Sequence, residues 1–325
     1  FKSLNRQQAL PYYIEALQNT KTNLGSEHSN YKFLLPKLAS LYFTLGREAS
    51  SKEIALEYYK KAVDLYKEVL ENTEEIPNDE YSMYKTYSNA LKNLYIYMGQ
   101  SSNADELAME YFQLALPFFL KDVKADSKKD PNDSFYSYQI SLSSLASLYL
   151  YMGKHAQTKD VSTEYYQKSL ATYMEALEHA STYGSKKNTS YLEGLTDIAA
   201  LYSTIGKSAN TDTSAMMSYH KALPLLQEAI RKSKKNSNDY INRAKYLSLL
   251  YNRMGISAST DKAASEYYKK AFKFYITGVE YIKHYIYDEF TSLSENEKEE
   301  YIAEQRSFLS IFNSFTYQNI LAFPS

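Results

Sequence analysis

The chain of 325 residues has no cysteine and no tryptophan, and only 9 glycines and 7 prolines. Without thiols there is no cysteine nucleophile, no disulfide scaffold and no thiolate metal site, although the redox compartment stays open. No apolar run approaches the roughly 20 residues that a membrane-spanning helix needs. The polar stretch from Lys2 to Gln8 has none of the charged-then-apolar character of a secretory leader, so a cytoplasmic setting is expected. Because the first residue is Phe1 rather than Met, the chain is expected to be a fragment or a processed product. Charge of one sign is also lacking: 37 basic side chains stand against 38 acidic ones. That near-balance argues against wholesale binding of nucleic acid or of an anionic membrane. So few helix breakers point to long regular elements. The excess that needs explaining is tyrosine, of which there are 35.

Five glycines recur in one setting, Leu-Tyr-x-x-x-Gly: Gly46, Gly99, Gly153, Gly206 and Gly255, spaced by 53, 54, 53 and 49 residues. Thirteen residues after each stands an aromatic: Tyr59, Phe112, Tyr166, Tyr219 and Tyr268. Small residues flank that ring, Ala55 and Ala62 around Tyr59, Ala108 and Ala115 around Phe112, and equivalents in the other copies. A small-large-small series at i, i+4 and i+7 is one stripe of an α-helix, and it lets two helix backbones approach while the ring fills the gap. Upstream, Leu38, Leu41, Tyr42 and Leu45 form the stripe of another helix. The glycine is expected to end that helix as a C-cap residue with positive φ. The Ser/Thr/Asp/Asn-rich stretches that follow, such as 101–105 and 257–261, are expected to cap the next one. Each unit therefore reads as a helical hairpin.

The order Leu-Ala-x-Leu-Tyr-x-x-x-Gly, then Ala-x-x-x-Tyr-x-x-Ala-Leu, resembles the tetratricopeptide (TPR) repeat. The likeness runs from about Lys2 to His284, with units longer than the family's usual 34 residues. The family's small mid-helix residue corresponds to Ala39, Ala146, Ala199 and Ser248, but to Lys92 in the second unit. The resemblance implies an all-α, right-handed superhelical solenoid of about five TPR-like hairpins. It would carry a remnant second helix over residues 1–25 and repeats over 26–78, 79–131, 132–187, 188–236 and 237–285. A capping or linker helix would fill 286–325. Pro11, Pro117 and Pro224 share one register position, where a bend is expected. The tyrosines read mainly as packing between helices, with ligand stacking as the alternative.

In the tail, Ser294 followed by acidic residues is a helix-start signal, and Phe308, Ile311, Phe312 and Phe315 make one apolar face. The run Phe290, Leu293, Ser294, Glu295, Glu297, Lys298, then Phe312, Ser314 and Phe315, resembles the junction between TPR arrays and the caspase-like CHAT domain of bacterial TPR–CHAT proteins. On that resemblance a His/Cys peptidase would follow Ser325.

Chemistry is hard to find. His28, His155, His179, His220 and His284 lack partners at metal-ligand spacing, so no metal site is expected. No phosphate-binding glycine loop and no nucleophile elbow occurs. Carboxylate pairs such as Glu74–Glu75 and Glu299–Glu300 read as solvated charge. The chain is thus expected to be no enzyme and to need no cofactor. It is expected to act as a protein-interaction scaffold, with a structural, oligomerising array as a rival. By the TPR resemblance, a peptide or protein partner would lie on the concave face of the first helices. There Asn89, Asn93, Ser143, Ser147, Thr196 and Ala200 run along the middle, with Tyr97 and Tyr151 flanking; an ordinary solvated groove is the alternative. Few cations lie among them, which disfavours the carboxylate-clamp subtype.

Overall fold

A computed structural model describes residues 6–73, 83–128, 135–184, 189–235, 237–288 and 290–319. Glu74–Glu75 and the outermost residues at both ends lie outside the described residues. The described residues are built of helices: α1 (Arg6–Leu24), α2 (Ser29–Arg47), α3 (Lys52–Glu71), α4 (Met83–Ser101), α5 (Asp105–Asp126) and α6 (Phe135–Lys154). These are followed by α7 (Lys159–Tyr183), α8 (Thr189–Lys207), α9 (Asp212–Lys232), α10 (Asn238–Ile256), α11 (Asp261–Asp288) and α12 (Glu295–Asn319). They pair as helical hairpins, α2 with α3, α4 with α5, α8 with α9 and α10 with α11, and α6 meets α7 through Gly153 and Tyr166. The chain divides into two compact units, residues 1–169 and 170–325, with the division inside α7.

Helix α3 shows why these segments fold as they do. Ser51 caps it by accepting from the Ile54 N–H at 3.3 Å, and Glu53 sits in the first turn, where the helix dipole favours an acid. Ala55, Tyr59, Ala62, Val63, Tyr66 and Val69 form its buried stripe. Thr211 and Ser237 cap α9 and α10 in the same manner. The second hairpin departs from this expectation. The residue before α5 is Ala104, which makes no side-chain cap, and the two polar residues ahead of it are otherwise engaged. Ser102 Oγ donates to the Met98 carbonyl at 2.8 Å, and Asn103 Nδ2 donates to Glu53 Oε1 at 2.7 Å. The start of α5 relies on Asp105 and Glu106 instead.

The repeat glycines are not C-caps. Each lies inside its helix, which continues past it, and among the described glycines only Gly25 has positive φ, at 87°. Gly25 closes α1, its N–H donating to the Lys21 carbonyl at 3.1 Å. The repeat glycines serve close approach. A Cβ on Gly46, Gly99, Gly206 or Gly255 would lie 2.3 Å from a ring carbon of Tyr59, Phe112, Tyr219 or Tyr268, and one on Gly153 would lie 2.6 Å from Tyr166. The ring of the second helix thus rests on bare backbone of the first. Phe112 is fully buried this way; such burial contributes on the order of 3 kcal/mol.

Small residues are buried further along both helices. Ala39 and Ala62 are fully buried, as are Ala146 and Ser169, and Ser169 Oγ donates to the Ala146 carbonyl at 2.8 Å. Lys92 breaks the pattern without breaking the hairpin. Its ammonium pairs with Asp122 and stands 4.8 Å from the centroid of the Phe119 ring, both on α5. Pro11, Pro117 and Pro224 lie inside α1, α5 and α9, which run through them without interruption.

In the first unit the core runs from Leu17 of α1 through Tyr31, Leu35, Tyr66 and Phe119 to Met152 of α6. In the second unit α12 closes the last hairpin: Phe308, Phe312 and Phe315 surround Tyr275 at ring-centroid distances of 5.7, 5.6 and 4.9 Å. Burial raises the Tyr275 hydroxyl to a pKa of about 12. Gly278 admits Phe308, which a Cβ there would meet at 2.7 Å. The start of α12 is a capping box, as its sequence suggests. Ser294 N–H donates to Glu297 Oε2 at 2.8 Å and Glu297 N–H donates back to Ser294 Oγ at 3.4 Å.

Candidate partner-binding surface

The first helices of the hairpins are α2, α4, α6, α8 and α10, and the residues expected to meet a partner fall on α4, α6 and α8. In the first unit, Asn93 is exposed, and Asn89, Ser143 and Ser147 are half-buried. Ser147 Oγ donates to the Ser143 carbonyl at 2.9 Å, which turns one of the polar groups inward. Tyr97 and Tyr151 are half-buried and belong to the seams between hairpins. The Tyr97 ring packs edge-on against Phe43 at 5.3 Å and lies 6.1 Å from Tyr59. The Tyr151 ring stacks on Phe112 at 5.7 Å. Both rings are thus held by the preceding hairpin.

In three of the hairpins a second pair of tyrosines joins the two helices. Tyr42 meets Tyr58 at 6.1 Å, Tyr149 meets Tyr165 at 6.3 Å and Tyr251 meets Tyr267 at 6.4 Å. Lysines lie over this row, Lys61 at 5.5 Å from the Tyr42 ring and Lys270 at 5.6 Å from Tyr267.

In the second unit Ala200 is half-buried, but Thr196 is only 8% exposed. Its hydroxyl donates to the Leu192 carbonyl at 2.7 Å and accepts from Arg243 Nε at 3.3 Å. Thr196 therefore supports a buried arginine and is not a surface contact. Arg243 Nη1 also donates to Ser233 Oγ at 2.9 Å and lies 3.8 Å from Asp239. Near it stand Glu193 and Asp197 of α8. Burial, with Glu193 one turn away, raises Asp197 from 3.8 to about 7, against the pull of Arg243. Sequence reasoning does not find this charged cluster. Its two halves, Glu193 with Asp197 and Asp239 with Arg243, are far apart along the chain, and the packing of α8 on α10 joins them.

Cations also gather on α10 as Arg243, Lys245 and Arg253. Lys245 Nζ donates to Gln305 Oε1 of α12 at 2.5 Å. Arg253 Nη1 donates to Ser203 of α8, at 2.6 Å to Oγ and 3.2 Å to the carbonyl. Among the described residues no helix is long and apolar enough to cross a membrane.

No family model and no curated protein matches the chain. Solved structures of low identity do. BtubC (BKLC) from P. vanneervenii is 14% identical, over 86% of this chain and 91% of that one, with a TM-score of 0.42. A kinesin light chain from Podosopora anserina with nearly identical TPR-like repeats is 15% identical over 70% and 89%, with a TM-score of 0.39. A circular tandem repeat protein with a novel repeat topology is 12% identical over 97% and 78%, with a TM-score of 0.38. At these values the description of the fold stands on the chain's own helices.

Proposed function

We propose that the chain is a non-catalytic protein-interaction scaffold that holds a peptide or protein against its first helices. The observation that carries this reading is in the first unit. There, exposed Asn93 and half-buried Asn89, Ser143 and Ser147 lie on helices whose neighbouring rings, Tyr97 and Tyr151, are fixed by the preceding hairpin. Small amides and hydroxyls can pair with a peptide backbone, and rings that are already immobilised add contact area at little entropic cost. A peptide library selected against the intact chain tests it. Selected binders should weaken at least tenfold on Asn93→Lys/Ser147→Lys, which leaves the seam rings in place. Unchanged affinity would remove the reading.

A finer reading rests on residues 290–315, whose resemblance to a TPR–CHAT junction would make the array the sensor half of a caspase-like protease. The residues of that resemblance also have structural work: Phe290 packs on Tyr301, and Ser294 with Glu297 caps α12. A His/Cys-bearing domain encoded directly after Ser325 supports the finer reading, and its absence there ends it.

A further inference from the structure

The seam between consecutive hairpins is built in two ways. In the first unit it is aromatic, with Tyr97 against Phe43 and Tyr59. In the second unit the equivalent positions hold Ser203 in place of Phe43 and Arg253 in place of Tyr97. The guanidinium reaches Ser203, and a cavity of about 550 Å³ stands beside Tyr219, lined also by Leu249, Asn252, Ile256 and Ile311. That size falls in the ordinary range for small-molecule sites.

The cavity holds a guanidinium with no ion-pair partner among the described residues. Arg253 has only neutral hydrogen-bond partners among the described residues, Ser203 Oγ and its carbonyl. Burial disfavours its charged form, yet a guanidinium keeps its proton in proteins, so the cost of desolvation stands. Arg243 in the same unit differs, since Asp239 lies 3.8 Å away. Lys207 also lines the cavity and forms no ion pair among the described residues. One acid lines it, Asp212, in the first turn of α9, where the helix dipole favours its charge. Two cations against one acid suit a monoanion better than a phosphate dianion. The guanidinium offers a planar, bidentate match to a carboxylate. Leu249, Ile311 and the 65%-exposed Ile256 supply an apolar wall beside it.

We propose that this cavity binds an organic carboxylate bearing an apolar segment, with the carboxylate on Arg253 and the segment along Leu249, Ile256 and Ile311. The site is separate from the partner surface on α4 and α6, and neither proposal depends on the other.

The test titrates the intact chain with sodium octanoate by calorimetry, beside acetate, octan-1-ol and octyl phosphate. Octanoate should saturate one site and bind at least tenfold tighter than each comparator. Arg253→Gln should weaken it at least tenfold, with Arg253→Lys recovering part of the loss. Binding of octan-1-ol equal to that of octanoate, or octanoate affinity unchanged by Arg253→Gln, overturns the proposal. Should Arg253→Gln fail to fold, the Arg253 side-chain N–H resonances of the unsubstituted protein must shift with octanoate; unmoved resonances overturn it equally. A peptide ending in leucine, with a free or an amidated C-terminus, distinguishes the source. Tighter binding of the free peptide than of octanoate marks a polypeptide carboxylate, and the reverse marks a free acid.

Discussion

The two units use one hairpin and two seams. In both, a helical glycine receives a ring from thirteen residues further on, Phe112 on Gly99 in the first unit and Tyr219 on Gly206 in the second. Between hairpins the first unit uses stacked or edge-on rings. The second uses a guanidinium on a hydroxyl, and it buries a further charged cluster around Arg243. The contact inside a hairpin is thus of one kind in all five copies, whereas the contact between hairpins is apolar in one place and polar in another. The first unit has an aromatic seam, and the second has a cavity and titratable groups at the equivalent place.

The largest test of this contrast strikes what the units share. Phe112→Ala should lower stability by about 3–5 kcal/mol, and Tyr219→Ala by a similar amount, in urea unfolding followed by circular dichroism. Loss in only one unit would show that the shared lock is not shared in energy. Next come Gly99→Ala and Gly206→Ala. Alanine is the better helix former by about 1 kcal/mol, but a Cβ at 2.3 Å from a buried ring forces a shift. Net destabilisation of about 1–2 kcal/mol is expected, overpacking outweighing propensity. A gain in melting temperature would show that the ring yields to the Cβ and that helix propensity decides the sign.

A third prediction belongs to the second unit alone. Asp197 has its folded pKa raised from 3.8 to about 7. The fold therefore binds a proton that the unfolded chain releases, and stability falls as pH rises between about 4 and 7. Asp197→Asn should stabilise at pH 8 and do little at pH 4. The full linkage over that range is about 4 kcal/mol, and roughly half is expected because the side chain is partly open to water. A stabilisation independent of pH would sink this account.

The smallest change in stability should come from converting one seam into the other. Ser203→Phe/Arg253→Tyr rebuilds the first unit's ring pair in the second. The double variant should stay within about 1 kcal/mol of the parent, whereas each single change should cost about 1–2 kcal/mol, a coupling that a double-mutant cycle measures. Octanoate binding should vanish in the double variant.

Much of the hairpin is legible in the linear pattern. The Gly-to-aromatic spacing is short, it lies within one hairpin, and it repeats, so helix positions and the closing helix can be read from it. The reason for the glycine is harder to read. A glycine near a helix end serves either a left-handed turn or a close approach, and the residue itself looks the same in both. The constant thirteen-residue partner is the clue to the second. Tyr97 and Tyr151 stand on the expected helices and also pack at the seams, a contact not read from the sequence because helical periodicity does not say which neighbour a face will meet. Thr196 lies beneath Arg243 for the same reason, since their contact spans 47 residues. The Arg253–Ser203 pair can be found by aligning the repeats on their glycines, where Arg253 falls in the column of Tyr97 and Tyr151.

Because the glycine and its ring lie on the same hairpin, a hairpin carries its own internal lock wherever it is copied. The seam is divided between neighbours, Phe43 with Tyr97 in one unit and Ser203 with Arg253 in the other. Reordering the hairpins of such a chain would make new joints, for instance a guanidinium set against a ring that has no hydroxyl to offer it. The order of the repeats is thereby recorded at their joints, and a recombined array would have to preserve neighbours as well as members.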